Sequence, residues 1–192
     1  MKRTRIHYIA AVGLMIALVF VGNYISIKIP VSIDGSPARI HFGNIFCLFA
    51  AYIFGPIGGG IAAGFGGVLY DMMDPIYIAS APFTLVFKFV MGYVCGKVAY
   101  LGGNDGKSAK LNAVAGIAGI AAYMVLYLSR GYIRDVYFRM IEVPVALINL
   151  STRGISSTVN GVIAVAIAVP LGLLIRKALE TSNLMDAIRG GK

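Results

Sequence analysis

Residues 39–88 read RIHFGNIFCLFAAYIFGPIGGGIAAGFGGVLYDMMDPIYIASAPFTLVFK. Two apolar segments are divided by the break Gly55-Pro56-Ile57-Gly58-Gly59-Gly60, and the polar residues gather at the far ends. Arg39, His41 and Asn44 precede the first segment, Tyr70, Asp71 and Asp74 follow the second, and Lys88 lies a little further on. A Gly- and Pro-rich interruption of apolar sequence is where a helix stops or turns. If the two segments form a hairpin of membrane helices, both polar ends return to the same side of the bilayer and build a pocket there.

The composition supports a membrane setting. Hydrophobic residues make up 58% of the chain and charged ones 13%, too apolar a balance for a water-soluble domain. At roughly 20 residues per span, the 192 residues hold one bundle of about six helices and no soluble enzyme domain. The net charge of +9 does not point to nucleic acid. Its basic residues stand at the ends of apolar runs, where they set topology, and are not interleaved with aromatics on a polar face. The N-terminal MKRTRIHYIAAVGLMIALVFVGNYI begins like a secretory signal, but Asn23-Tyr24-Ile25 offers no small-residue cleavage site, so it reads as the first span. Cys47 and Cys95 fall inside apolar segments as ordinary buried thiols, implying neither a disulfide framework nor a metal site.

The expected architecture is an all-α integral membrane protein, a single domain over 1–192, with spans near 8–28, 42–54, 56–73, 82–101, 111–129 and 151–175. The loop KIPVSIDGSPARIH cannot stay helical through Pro30 and Pro37. Lys2, Arg3 and Arg5 place the N-terminus in the cytoplasm, and Arg176, Lys177, Arg189 and Lys192 do the same for the C-terminus, so the span count is even. Treating 42–69 as one span would strand Lys97, Lys107 and Lys110 outside; a hairpin brings them in. The segment RGYIRDVYFRMIEVPVALIN (130–149) suits an outward extension of the fifth helix with an interfacial loop capping the pocket, and ETSNLMDAIRGGK reads as a cytoplasmic tail.

Charged groups inside a bilayer are costly and tend to mark sites. In this topology Arg39, His41, Asn44, Tyr70, Asp71, Thr84, Lys88, Arg153 and Asn160 share the outer side and are the candidate substrate-binding residues. Lys88 points either into the pocket or, by snorkelling, to the interface; an ion pair with Asp71 is a purely structural alternative. Donors, acceptors and the aromatic faces of Tyr70, Tyr77, Phe83, Phe87 and Tyr132 together suit a flat, polar heterocycle. Ala10, Gly13 and Ala17 line one face of the first helix, and Gly60, Gly64 and Gly67 one face of the third, either for packing within the bundle or, on the first helix, for docking another membrane subunit. No catalytic residues, metal ligands or cofactor are expected. LGGNDGKS (101–108) lacks the first glycine and the preceding strand of a phosphate-binding loop, His7 and His41 lack metalloprotease spacing, and no GxSxG is present.

The run RIHFGNIFCLFAAYIFGPIGGGIAAGFGGVLYDMMDP, followed by APFTLVFKFVMGYVCG and later STVNGVIAVAIAVPLGLLI, resembles the substrate-binding S components of energy-coupling factor (ECF) transporters, in the riboflavin-type branch. The resemblance covers nearly the whole chain. It implies a prokaryotic, multi-pass plasma-membrane subunit that binds a vitamin-like micronutrient from outside. Riboflavin and deazapurine precursors of queuosine are the leading ligands. It further implies association with a transmembrane coupling protein and two cytoplasmic ATPases, and toppling in the membrane to release the cargo. The family's AxxxA docking motif falls on Gly13 and Ala17, with Gly in place of the first Ala and Ala10 adjoining. A structural or regulatory subunit, using the polar residues only as interhelical glue, is the rival reading; an intramembrane enzyme ranks below it, because nothing positions a scissile group near Asp71 and Asp74.

Overall fold

A computed structural model of the chain describes residues 2–29 and 38–189; the prolines at 30 and 37 and the terminal Lys192 lie outside them. Helix α1 (Lys2–Tyr24) is followed by strands β1 (Ser26–Ile29) and β2 (Ala38–His41), then by α2 (Gly43–Met73). A 3₁₀ turn (Ile78–Ser80) leads into α3 (Ala81–Ala99), and α4 (Ala109–Ile133) continues into a π-helical turn (Arg134–Phe138). The long α5 (Val143–Thr181) and the short α6 (Leu184–Arg189) complete the order. Five of these stretches are long and apolar enough to cross a bilayer: Ile6–Tyr24, Gly43–Met73, Ile78–Ala99, Ala109–Phe138 and Val143–Thr181. The molecule is an all-α membrane protein with one small antiparallel β-ribbon.

α2 is folded back on itself. Gly55 takes φ 72° and ψ −163°, a conformation open to glycine and closed to residues with a Cβ, and Pro56 follows it. The consequence is visible in the packing. A Cβ on Gly59 would lie 2.5 Å from the Ala51 Cα, whereas an unbroken helix would hold these residues about 12 Å apart. The limbs 43–54 and 56–73 therefore run antiparallel.

The second limb lies along α3 with almost no side chains between them. A Cβ on Gly92 would strike the Gly59 carbonyl at 2.4 Å, and one on Gly96 the Gly55–Pro56 peptide. Gly60, Gly64 and Gly67 face Phe89, Leu85 and the Lys88 stem along the same seam, while Gly66 admits Val19 of α1. In lipid, where burying apolar surface gains little, such close van der Waals contact is what holds helices together. The first limb is the centre of the bundle: Cys47, Leu48, Ala51 and Tyr52 are fully buried, and Tyr52 reaches Gly116 of α4 and Gly172 of α5.

Several boundaries differ from the expected ones. The first helix stops at Tyr24, because Ile25-Ser26-Ile27-Lys28-Ile29 alternates in strand fashion and 26–29 pair with 38–41 (Ser26 opposite His41, Lys28 opposite Arg39). The last long helix starts at Val143 instead of 151, since Pro144 occupies its first turn, where a missing N–H breaks no helical bond. It continues to Thr181, and the expected tail forms α6, whose Met185 is buried against Val12 and Met15 of α1.

Candidate functional site

The site exists because one limb is short. At 1.5 Å per residue the limb 43–54 is roughly 18 Å long and α3 roughly 28 Å. The first limb therefore ends below the level at which its neighbours end, and the space above it is a cavity of about 160 Å³. Its walls come from the ends of α1, α2, α3, α4 and α5 and from β2.

At the bottom lies Lys88, 4% exposed. Its ammonium donates to Asn44 Oδ1 at 2.9 Å and, at the limit of a hydrogen bond, to Asn23 Oδ1 at 3.5 Å. An ammonium has three N–H donors, so the two amides leave one over. Among the described residues Lys88 has no carboxylate within ion-pair distance. Asp71 instead accepts from Thr84 Oγ1 at 2.5 Å. Lys88 thus neither snorkels nor forms the structural pair with Asp71; it points into the bundle and is held by neutral groups.

β2 supplies a second pair of groups. Asn160 of α5 acts as the missing neighbour strand, accepting from the His41 N–H (2.9 Å) and donating to the Arg39 carbonyl (2.7 Å). Its other amide proton goes to the Ser156 carbonyl. With the strand so pinned, the Arg39 guanidinium lies between the rings of Tyr70 and Tyr77, 4.3 and 4.6 Å from their centroids. Among the described residues Arg39 Nη1 and His41 Nδ1, both buried, meet no hydrogen-bond partner. Desolvation, reinforced by the charges of Lys88 and Arg39, holds the imidazole well below its ordinary pKa, so His41 is neutral at pH 7. Such a ring offers one donor and one acceptor.

The opposite wall is built by α4 and α5. Asp135, fully buried in the π-helical turn, is met by Arg153 (2.8 Å), Arg134 (3.2 Å) and Arg139 (3.9 Å), and Asn149 donates to it at 3.5 Å. The Arg130 guanidinium carbon lies over the Phe83 ring, 3.9 Å from its centroid. Phe83, Phe87, Tyr77, Tyr123 and Tyr127 contribute aromatic surface, and Tyr123 stacks on Tyr127 with an interplanar angle of 7°.

Of the candidate binding residues, Arg39, His41, Asp71, Thr84, Lys88, Arg153 and Asn160 line this one cavity, while Asn44 and Tyr70 stand behind it, the first holding Lys88 and the second Arg39. Sequence reasoning missed Asn23, Tyr123, Tyr127, Arg130, Arg134, Asn149, Thr152 and Ser156. Asn23 was legible as a polar residue ending an apolar span. Arg130, Arg134 and Asn149 lie in the segment read as a cap. At the far edge of the molecule, Ala10, Gly13 and Ala17 form an outward strip; Gly13 has open space where a Cβ would stand.

Comparison with known proteins identifies a family. The family model for the S component of ECF-type riboflavin transporters matches residues 3–177. A protein of Pyrococcus woesei, described as an uncharacterized protein in the gap 3′ region, is 31% identical over 120 residues, covering 60% of this chain and 78% of the relative.

Proposed function

The chain belongs to the S components of ECF-type riboflavin transporters, the membrane-embedded substrate-binding subunits of a transporter and not enzymes, and on that premise we propose that the cavity above the 43–54 limb captures a flat, vitamin-like heterocycle. A flavin is the leading ligand and a deazapurine precursor of queuosine the next. The single observation that carries this reading is Lys88: a buried cation aimed into an aromatic-walled cavity, held, among the described residues, by two amides and beside two further polar atoms without a described partner. Leaving a buried donor or acceptor unmatched costs about 1–3 kcal/mol, and a ligand carbonyl or ring nitrogen removes that cost.

In this reading Lys88 donates to an electronegative ring atom or carbonyl, Asp71 accepts from an amine or hydroxyl, and His41 and Arg39 complete the edge of the ring. Tyr77, Phe87 and Tyr123 supply its faces, and Asn160 positions β2. The cavity opens outside the plasma membrane of a prokaryotic cell. Lys97, Lys107, Lys110, Arg176 and Lys177 mark the cytoplasmic end, and the two limbs of α2 count as separate crossings, giving six. The strip Ala10, Gly13 and Ala17 docks the coupling protein of the ECF module, whose two ATPases supply the energy that this chain has no machinery to harvest.

Mass spectrometry of small molecules released by denaturing the purified, detergent-solubilised protein tests the reading. We expect a stoichiometric heterocycle. An empty protein that shows no thermal stabilisation with flavins, deazapurines or a vitamin panel would favour a structural membrane subunit instead.

A further inference from the structure

α4 has two unlike sides. Arg130 and Arg134, near its end, line the cavity. Another face carries no charge: Val114, Ile117, Ala121, Val125, Ser129 and Ile133 are all exposed and follow one another at helical spacing. On a membrane helix such an uncharged exposed stripe meets lipid, while charged groups turn to the interior or a cavity. The π-helical turn prolongs the stripe with Tyr137 and Phe138, 66% and 80% exposed, and Met140 follows at 81%. Beyond it Val143, Leu147 and Ile148 are exposed at the start of α5.

The turn is fixed from within. Its buried Asp135 accepts from Arg153, Arg134 and Asn149, and the Ile141 N–H donates to the Asp135 carbonyl at 2.9 Å. The exposed residues beside this polar knot are aromatic or apolar, with Arg139 and Glu142 among them. Met140 takes φ 53°, a conformation in which glycine or asparagine would cost less, so a large apolar side chain is kept where a small one is easier. Length sets the depth. At 1.5 Å per residue the stripe from Val114 to Phe138 is roughly 36 Å long, against about 30 Å for the hydrocarbon core of a bilayer and about 40–45 Å with its headgroups. With Val114 at one margin of the core, the turn falls in the headgroup layer of the opposite leaflet. Tyrosine and a mixture of apolar and charged side chains are at home there.

We propose that the turn 134–140 is a membrane-interface anchor: Tyr137, Phe138 and Met140 lodge at the headgroup–acyl boundary of the leaflet at the cavity's end, and the wall that carries Arg134 is thereby footed in lipid. The chain contains no tryptophan. Phe138→Trp, with Tyr137→Trp as a second probe, therefore places a single indole fluorophore at an exposed position. The test is quenching in nanodiscs of phosphatidylcholine brominated either near the carbonyl end of its chains or near their methyl ends. Aqueous iodide serves as a third quencher, and Ile117→Trp, exposed at mid-span on α4, as the reference. We expect the carbonyl-end lipid to quench Phe138→Trp at least about twice as strongly as the methyl-end lipid, the order to reverse for Ile117→Trp, and iodide to act weakly on both. Strong iodide quenching of Phe138→Trp without a response to either lipid stands the turn in water, as a surface for a protein partner, and overturns the anchor. Shielding from all three quenchers, or a preference for the methyl-end lipid, overturns it as well. If Ile117→Trp responds to iodide and to neither lipid, α4 is no span and the anchor falls with it.

Discussion

Lys88 and Arg176 are equally buried, each 4% exposed, and sit at opposite ends of the bundle. Their partners differ. Arg176 donates to the Glu180 carboxylate one turn away (3.0 Å) and to the Asp105 carbonyl, tying α5 to the loop before α4. Beside it Asn112 donates to the Gly106 carbonyl, and the Tyr52 hydroxyl donates to the Asn112 carbonyl. Lys88 has two neutral amides and faces a cavity. A buried cation is therefore not in itself a sign of function; the accounting of its partners is. Among the described residues Arg176 meets a carboxylate and a carbonyl, whereas Lys88 meets two neutral amides beside the cavity.

Exchanging each for methionine breaks that comparison most directly. Lys88→Met is expected to weaken ligand binding at least about 100-fold, or ~2.7 kcal/mol. The melting temperature of the ligand-free protein should hold or rise, because the desolvation cost of an unpaired ion disappears. Arg176→Met should do the reverse: a loss of about 2–3 kcal/mol of stability from severed charge-assisted bonds, with affinity per folded molecule unchanged. Thermal melts and titrations on the two variants decide the matter, and a drop in stability without loss of affinity for Lys88→Met would return that residue to a structural role.

The glycine surfaces offer a second contrast. Gly92→Ala forces the 56–73 limb off α3, since the obstructing atom is the Gly59 backbone. A loss of about 1–3 kcal/mol is expected, as for other overpacked interfaces. Gly13→Leu meets open space and should leave both the melt and the affinity unchanged, yet abolish co-purification with the coupling protein. Co-purification at normal yield would remove α1 as the docking face.

The smallest effect concerns pH. His41 has a folded pKa depressed below its unfolded value of about 6.5. Its contribution to stability is full above that pH and is lost as pH falls from there through the depressed folded value. Protonation also adds a cation beside Lys88 and Arg39. Affinity for an uncharged flavin is therefore expected to fall a few-fold over this acid range, and His41→Gln should flatten the profile. An unchanged profile in the variant would show that another group titrates.

The hairpin was legible because glycine and proline interrupt an apolar run at 55–60 and because an even span count is the one consistent with basic residues at both termini and in the loop after it. The polar residues of that hairpin were legible as a cluster for the same reason. The β-ribbon was not: in a chain this apolar, the short alternation of 25–29 is lost beside the preceding helix, and the other edge of β2 is bonded by Asn160, more than a hundred residues away. Tyr123 and Tyr127 were equally silent. On a membrane helix an aromatic residue reads the same whether it faces lipid or a cavity, and only the shortness of the 43–54 limb decides which. Arg130, Arg134 and Asn149 carried a signal, but it indicated the edge of the membrane without indicating the direction of their side chains.

That short limb also bears on how the protein is made. A stretch of roughly 18 Å is below what an apolar helix needs to enter a bilayer by itself, about 17 residues or more. As the chain leaves the ribosome, 43–54 has no stable position until 56–73 has followed it, so the insertion machinery must accept the two as one unit. The order of synthesis thus makes Gly55 a checkpoint. A residue there that straightened the turn would leave 43–73 as one continuous helix in place of two antiparallel limbs, long before any ligand was met.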